Sequence, residues 1–523
     1  MKPLRKILGA HLANATPRIC GPGNAVQMLL DAAARHPERP AVIENAGRRT
    51  TGFRELVAHA LGIAALLKAS GLSADERVGI LLERGADSAA AYFGILAAGG
   101  VAVNINEGLR PRQIDYILAH SGARYLVSSG TLLDKLPRGL NSEARIVDLD
   151  VAAVPESIGE IARRTASDMA HLIYTSGSTG MPKGVVVSHG NVWAGMSAVV
   201  EYVGITCADR IASLLPFSFD YGLNQLHCAM ATGASLIVET TPVPQRIVQS
   251  LEAHEVSVLP AVPPLWLQIL NVQRFRKAPL PAIRAMTNTG GKIPTEAVRR
   301  LRAAQPQADL FLMYGLTEAF RSTYLPPDLV DRKPDSIGRA IPGAEIIVVD
   351  ECMNRCGPNE IGQLVHRGPT VTLGYWTDHE TTGKRFGPNP LRPEGTPDAE
   401  RVVFSGDLVR MDEDGDLFFV GRHDGMLKSL GHRVAPDEIT DVLYASGEIV
   451  EAAIVGEPDE MRGDAIVAHV VLAKTGDLKR LKAHAARELP RYMQPVRYEV
   501  HDALARTASG KHDAKAMASA GGA

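Results

Sequence analysis

The sequence predicts an α/β protein with a large N-terminal domain and a small α+β C-terminal domain, on three observations. The chain has 523 residues, too many for one hydrophobic core, so at least two domains are expected. Short, nearly all-apolar segments such as RVGILL at 77–82 alternate with helical patterns, which predicts sheets covered on both faces. Near 421–425 the pattern changes, and a separate set of helices and strands follows.

In chain order, 24–35 reads as a helix, 40–44 as a strand, 53–70 as a helix, and 77–82 and 101–105 as strands. The longest apolar run, 89–103, is broken by Gly99 and Gly100. It is too short to span a bilayer and reads as a buried helix feeding a strand. Residues 171–174 read as a strand and 221–230 as a helix. The segment 412–420, DEDGDLFFV, reads as a hairpin turning at Asp414 and Gly415. Beyond it, 436–445 and 478–488 read as helices and 450–455 and 466–472 as strands. That set is large enough to fold alone, so the expected domains are 1–420 and 421–523.

Composition excludes several classes. Apolar residues make up 45% and charged residues 22%, the balance of a soluble globular protein. The net charge of −2 offers no basic excess for a nucleic acid. The N-terminus is basic but has no continuous apolar core of a secretory signal, so a cytoplasmic location is expected. Five scattered cysteines do not form a disulfide framework. Cys352 and Cys356 have no second close Cys/His pair to complete a metal site.

Residues 175–184, TSGSTGMPKG, follow the strand at 171–174. Thr175, Ser176, Ser178 and Thr179 supply hydroxyls. Gly177 and Gly180 permit backbone shapes closed to other residues. Free N–H groups with the Lys183 ammonium suit a polyphosphate. This is not a Walker loop, because Pro182 stands where that motif needs its second glycine.

The full string resembles the signature loop of the adenylate-forming superfamily: acyl-CoA synthetases, peptide-synthetase adenylation domains and luciferases. Further matches follow in that family's order. They are LAAGGVAVN (96–104), TGG (289–291), YGLTE (314–318), and GQL (362–364) with Gly368, Gly374 and Tyr375. SGD (405–407), GRHDGMLK (421–428) with Gly431 and Arg433, LPRYMQP (489–495) and RTASGK (506–511) complete the series. The stretches 215–226 and 311–327 look most like stand-alone acyl-CoA ligases of exopolysaccharide gene sets associated with exosortase systems.

The resemblance implies an ATP- and Mg²⁺-dependent ligase of the adenylate-forming fold. It would join a carboxylate to AMP, release pyrophosphate, and pass the acyl group to the phosphopantetheine thiol of CoA or of a separate carrier protein. No carrier domain is expected after Lys515, so the thiol is expected from CoA or a separate carrier protein. By resemblance, Tyr314 stacks on adenine, Thr317 meets the α-phosphate, and Glu318 binds Mg²⁺. Asp407 takes the ribose hydroxyls and Arg422 reaches ribose or phosphate. Lys511 offsets the repulsion between carboxylate and phosphate, and Asp424 is the hinge of a mobile C-terminal domain. The sequence departs from the family at Ala505, His512 and Ala514, around the lysine loop.

Gly290, Gly291, Phe219 and Asp220 fall where the family lines its acyl pocket. Asp220 has two readings: it holds a substrate ammonium, as in amino-acid-activating members, or it caps the helix behind it. Arg321 also has two: it pairs with a second substrate carboxylate, or with an internal acid such as Asp220. The enzyme is thus an amino-acid-activating ligase or a short- or medium-chain acyl-CoA ligase. A catalytically inactive nucleotide-binding homologue is the alternative from another class, opposed by the intact loop, Glu318, Asp407 and Lys511. The acid, the acceptor and the oligomeric state are not fixed by sequence.

Overall fold

In the computed structural model, the described residues are 23–517 apart from 45–46, 110, 134–135, 137–143, 150–159, 176–181, 394, 397–399, 423–424, 426, 430–431, 460–462, 508–511 and 514–515. Three sheets organise them. The largest has 14 strands. Its parallel part runs Pro40–Glu44, Ser235–Val238, Arg210–Ser213, Val258–Ala261, Ala285–Asn288 and Asp309–Tyr314. Its antiparallel part continues through Thr323–Leu325, Ser336–Ala340, Leu417–Arg422, Arg401–Met411, Ile361–Arg367 and Glu345–Val349.

The second sheet has seven strands, in the order Gly374–Tyr375, Lys183–Ser188, Met169–Thr175, Val101–Asn104, Arg77–Leu81, Tyr125–Ser128 and Arg145–Asp148. The third is C-terminal, with five strands centred on Gly463–Leu472.

Parallel pairing needs a crossover between strands, and helices make most of those crossovers here, so both strand faces are covered. Val101–Asn104, Tyr125–Ser128, Ser235–Val238, Val258–Ala261 and Ala285–Asn288 are buried at every residue, as their apolar sequences require. Phe53–Ala69 and Ala86–Ala98 pack on each other as an apolar helical layer. Each large apolar side chain removed from water there contributes about 1.5–3 kcal/mol. Among the described residues no helix is long and apolar enough to cross a membrane.

Most expected elements appear within a residue or two: Pro40–Glu44, Phe53–Ala69, Arg77–Leu81, Pro436–Ala445 and Leu478–Glu488. The helix expected at 24–35 begins later, at Gln27. Asn24 is committed elsewhere: its side chain donates to the Leu96 carbonyl at 2.7 Å and accepts the Val26 N–H at 3.1 Å. The strands expected at 450–455 and 466–472 are longer, Ile449–Asp459 and Gly463–Leu472. They form one hairpin whose polar distal half carries no apolar alternation to read.

Among the described residues, the C-terminal elements meet the large sheet layer through a charged pair and an apolar contact. Lys292 Nζ lies 2.7 Å from Asp441 Oδ2 on the helix Pro436–Ala445. Tyr444 of the same helix packs against the apolar cluster around Trp266.

Candidate active site

Strands Met169–Thr175 and Lys183–Ser188 are antiparallel neighbours, with Thr175 opposite Lys183. They are the two ends of the loop read above as a phosphate cradle. Its residues Ser176, Gly177, Ser178, Thr179 and Gly180, with Asp424, expected above as a hinge, and Lys511, lie outside the described residues. Lys183 is held by a partner that sequence reasoning missed. Its Nζ donates to Thr381 Oγ1 at 2.7 Å and pairs with Asp378 Oδ2 at 3.1 Å. Asp378 caps the helix His379–Arg385 by accepting the Thr381 N–H. The Thr381 bonds, then Lys183, hold its carboxyl at about 2.

One short segment, 314–321, distributes its side chains to three places. Tyr314 ends its strand, and its hydroxyl donates to Asp407 Oδ2. Asp407 faces Arg422 across an antiparallel pair, with Arg422 Nε 3.5 Å from Asp407 Oδ1. The Asp407 N–H donates to Ser405 Oγ at 3.0 Å, which holds the backbone at Asp407. Burial and the facing carboxylate push the Tyr314 phenol well above its usual range. Glu318 accepts the Tyr375 hydroxyl, while its own carbonyl accepts the Thr372 N–H at 2.9 Å. Thr317 lines a cavity with Asp220, Leu223, Asn224, Phe320 and Thr372.

Phe320 has the left-handed φ of +57°, and its ring leaves no room for a side chain at 195. A Cβ on Gly195 would stand 2.4 Å from Phe320 Cδ1. Gly290 also has a positive φ, +85°, and a Cβ there would reach 3.5 Å from the Phe219 ring. The TGG segment and Phe219 therefore adjoin, as a shared pocket wall requires.

Asp220 is not the helix cap that one reading expected. Phe219 takes the N-cap position and Asp220 is the first residue of Asp220–Thr232. Its Oδ1 accepts the N–H of Tyr221 at 2.7 Å, and the residue lines the cavity that contains Thr317. Arg321 does not pair with Asp220 or any other described carboxylate; its Nη1 donates to Thr289 Oγ1 at 3.0 Å. A buried relay also lines the cavity and was missed in the sequence. His171 Nδ1 and His227 Nε2 each lie 3.0 Å from the Tyr92 hydroxyl. Burial keeps both imidazoles neutral, His227 down at about 3. The lone histidines gave no spacing signal.

The AMP-binding enzyme family matches residues 29–376, and its C-terminal domain matches residues 438–511. The chain belongs to the AMP-binding enzyme family. Tyrocidine synthase 2 of Brevibacillus parabrevis is 32% identical over 94% of this chain, which spans 13% of that protein's length. The L-proline–[L-prolyl-carrier protein] ligase of Pseudomonas fluorescens is 28% identical over 94% of this chain and 98% of its own. Among solved structures, the o-succinylbenzoate coenzyme A synthetase of Bacillus subtilis, bound to ATP and magnesium ion, is similar with a TM-score of 0.80. It shares 26% identity over 94% of this chain and 98% of its own. This chain has the expected architecture, large sheets followed by a smaller C-terminal unit, and shares its fold with that structure.

Proposed function

We propose that this chain activates a small carboxylic acid with ATP as an acyl-adenylate, releases pyrophosphate, and transfers the acyl group to a phosphopantetheine thiol. The observation that carries this reading is the segment 314–321. It sets Tyr314 against Asp407 and Arg422, Thr317 into the cavity with Asp220, and Glu318 beside Tyr375. In this reading the ribose and base sit beside Tyr314 and Asp407, the acid enters the cavity, and Thr317 meets the α-phosphate.

In this reading Asp407 accepts the ribose hydroxyls, and Tyr314 and Arg422 hold its carboxylate in place. Glu318 offers the hard carboxylate oxygen that Mg²⁺ prefers, and the Tyr375 hydroxyl orients it. The metal, when bound, would neutralise phosphate charge. Lys183 leaves Asp378 for the polyphosphate, a short exchange of one anion for another. Lys511 stabilises charge as carboxylate meets phosphate. We place the domain division near 420–421, with Asp424 as the hinge that swings Lys511 away before thiol attack. CoA and a separate carrier protein both supply that thiol, and the reaction belongs in the cytoplasm with them.

For the acid we favour one bearing an amino group, held by Asp220 in the cavity. A half-buried carboxylate gains from a cationic partner. Acid-dependent pyrophosphate exchange into ATP, run over amino acids and plain fatty acids of matched length, tests the reading. Exchange with amino acids exceeding fatty acids is expected. A preference for fatty acids would leave the second reading, a short- or medium-chain acyl-CoA ligase. That reading is favoured by the local bond of Asp220 to the Tyr221 N–H.

A further inference from the structure

Arg321 is 2% exposed, and an arginine stays charged at any depth. Among the described residues no carboxylate meets it. Nη1 donates to Thr289 Oγ1, whereas Nε and Nη2 have no partner. The guanidinium carbon lies 4.9 Å from the Tyr221 ring centroid and 4.8 Å from that of Phe320. Aromatic faces soften the loss of water around a cation but do not replace it. A buried, unpaired guanidinium is costly, and such a cost persists where function supplies the missing anion.

Two further features point the same way. Arg321 lines a cavity with Tyr221, Asn224, Gln225, Cys228 and Thr287. Asn224 also lines the cavity that contains Thr317 and Asp220, so the two spaces adjoin through one side chain. Gln225, 5% exposed, lines the first cavity, and both its Nε2 and its Oε1 are buried and unpartnered. Three N–H-bearing nitrogens, Arg321 Nε and Nη2 and Gln225 Nε2, therefore await an acceptor. The edge formed by guanidinium Nε and Nη2 is a fork that matches the two oxygens of a carboxylate.

We propose that Arg321 and Gln225 bind a second carboxylate at the far end of the acid, so that the substrate is a dicarboxylic acid. One carboxylate is activated near Thr317 and the other pairs with Arg321. This rests on the adenylation reading above and names its substrate class.

Pyrophosphate exchange with the full chain tests it on matched pairs: glutarate against valerate, adipate against hexanoate, glutamate against norvaline. In at least one pair the dicarboxylate should exceed its partner by about 100-fold in kcat/KM, the size of a charge-assisted pair. Arg321→Met should collapse that ratio to near one, and Arg321→Lys, a point charge without the fork, should keep part of it. A wild-type preference for the monocarboxylates, or an unchanged ratio in Arg321→Met, overturns the proposal. Melting temperature separates a structural role. Removing an unpaired buried charge should leave Arg321→Met as stable as the wild type or more so; a clear fall would assign Arg321 to the fold and overturn the proposal. Exchange with no acid at all would contradict the adenylation reading instead. The anion site is then judged by thermal shift: glutarate or adipate should raise the melting temperature of the wild type and not of Arg321→Met, and equal shifts overturn it.

Discussion

Asp407 takes a hydroxyl from Tyr314 on one oxygen and faces Arg422 with the other. Tyr314→Phe removes one hydrogen bond to a charged acceptor, worth about 1.5–3 kcal/mol. The expected result is a rise in KM for ATP of about 10- to 100-fold, with the fold intact by circular dichroism. An unchanged KM would mean that the bond does not orient the ribose site. Lys511→Ala should nearly abolish adenylate formation while sparing thiol attack on a preformed acyl-adenylate, measured by single turnover. Equal loss in both steps would contradict a role confined to the first. Tyr314, Thr317, Glu318 and Asp407 were legible because each sits inside a spaced motif. Tyr375 and Glu318 meet across 57 residues, and Lys183 and Thr381 across 198. Such contacts are set by sheet order, which no local pattern encodes.

Phe320 in its left-handed backbone and the helix His189–Val203 form one contact, with Gly195 beneath the ring. Gly195→Ala should push Phe320 into the cavity that holds Thr317 and Asp220. Acid-dependent kcat/KM is expected to fall more than tenfold while ATP binding, followed by calorimetry, changes little. Equal loss of both would place the contact in the general core. Elements with strong local patterns, such as Phe53–Ala69 and Pro436–Ala445, were readable as such. The hairpin Ile449–Asp459 with Gly463–Leu472 was read short, since its outer half is polar on both faces. Asp220 stayed open in the sequence between a substrate contact and a helix cap, because capping depends on which residue turns first. Here Phe219 does so through its backbone alone.

Across the whole molecule, buried neutral histidines set the acid limit. His171, His189, His227 and His366 are all buried. Burial lowers each, His189 and His366 to about 4 and His227 to about 3. The unfolded chain binds these protons near 6.5 and the folded chain does not. Stability is therefore full above about pH 6.5 and declines as pH falls toward 4. Asp437 and Asp441, raised by burial, act in the opposite sense as pH falls. Melting temperature should drop from pH 7.5 to pH 5, and His227→Gln should flatten that slope. A flat profile would contradict the buried-neutral assignment.

The two large sheets bring together residues from 175 to 422, and every role assigned to them assumes attack of the acid at the α-phosphate. Isotope transfer reads that attack directly. With the substrate carboxylate labelled by ¹⁸O and the full reaction run to thioester, one labelled oxygen should appear in AMP, with unlabelled pyrophosphate released. Label in inorganic phosphate, with ADP as the nucleotide product, would contradict the account.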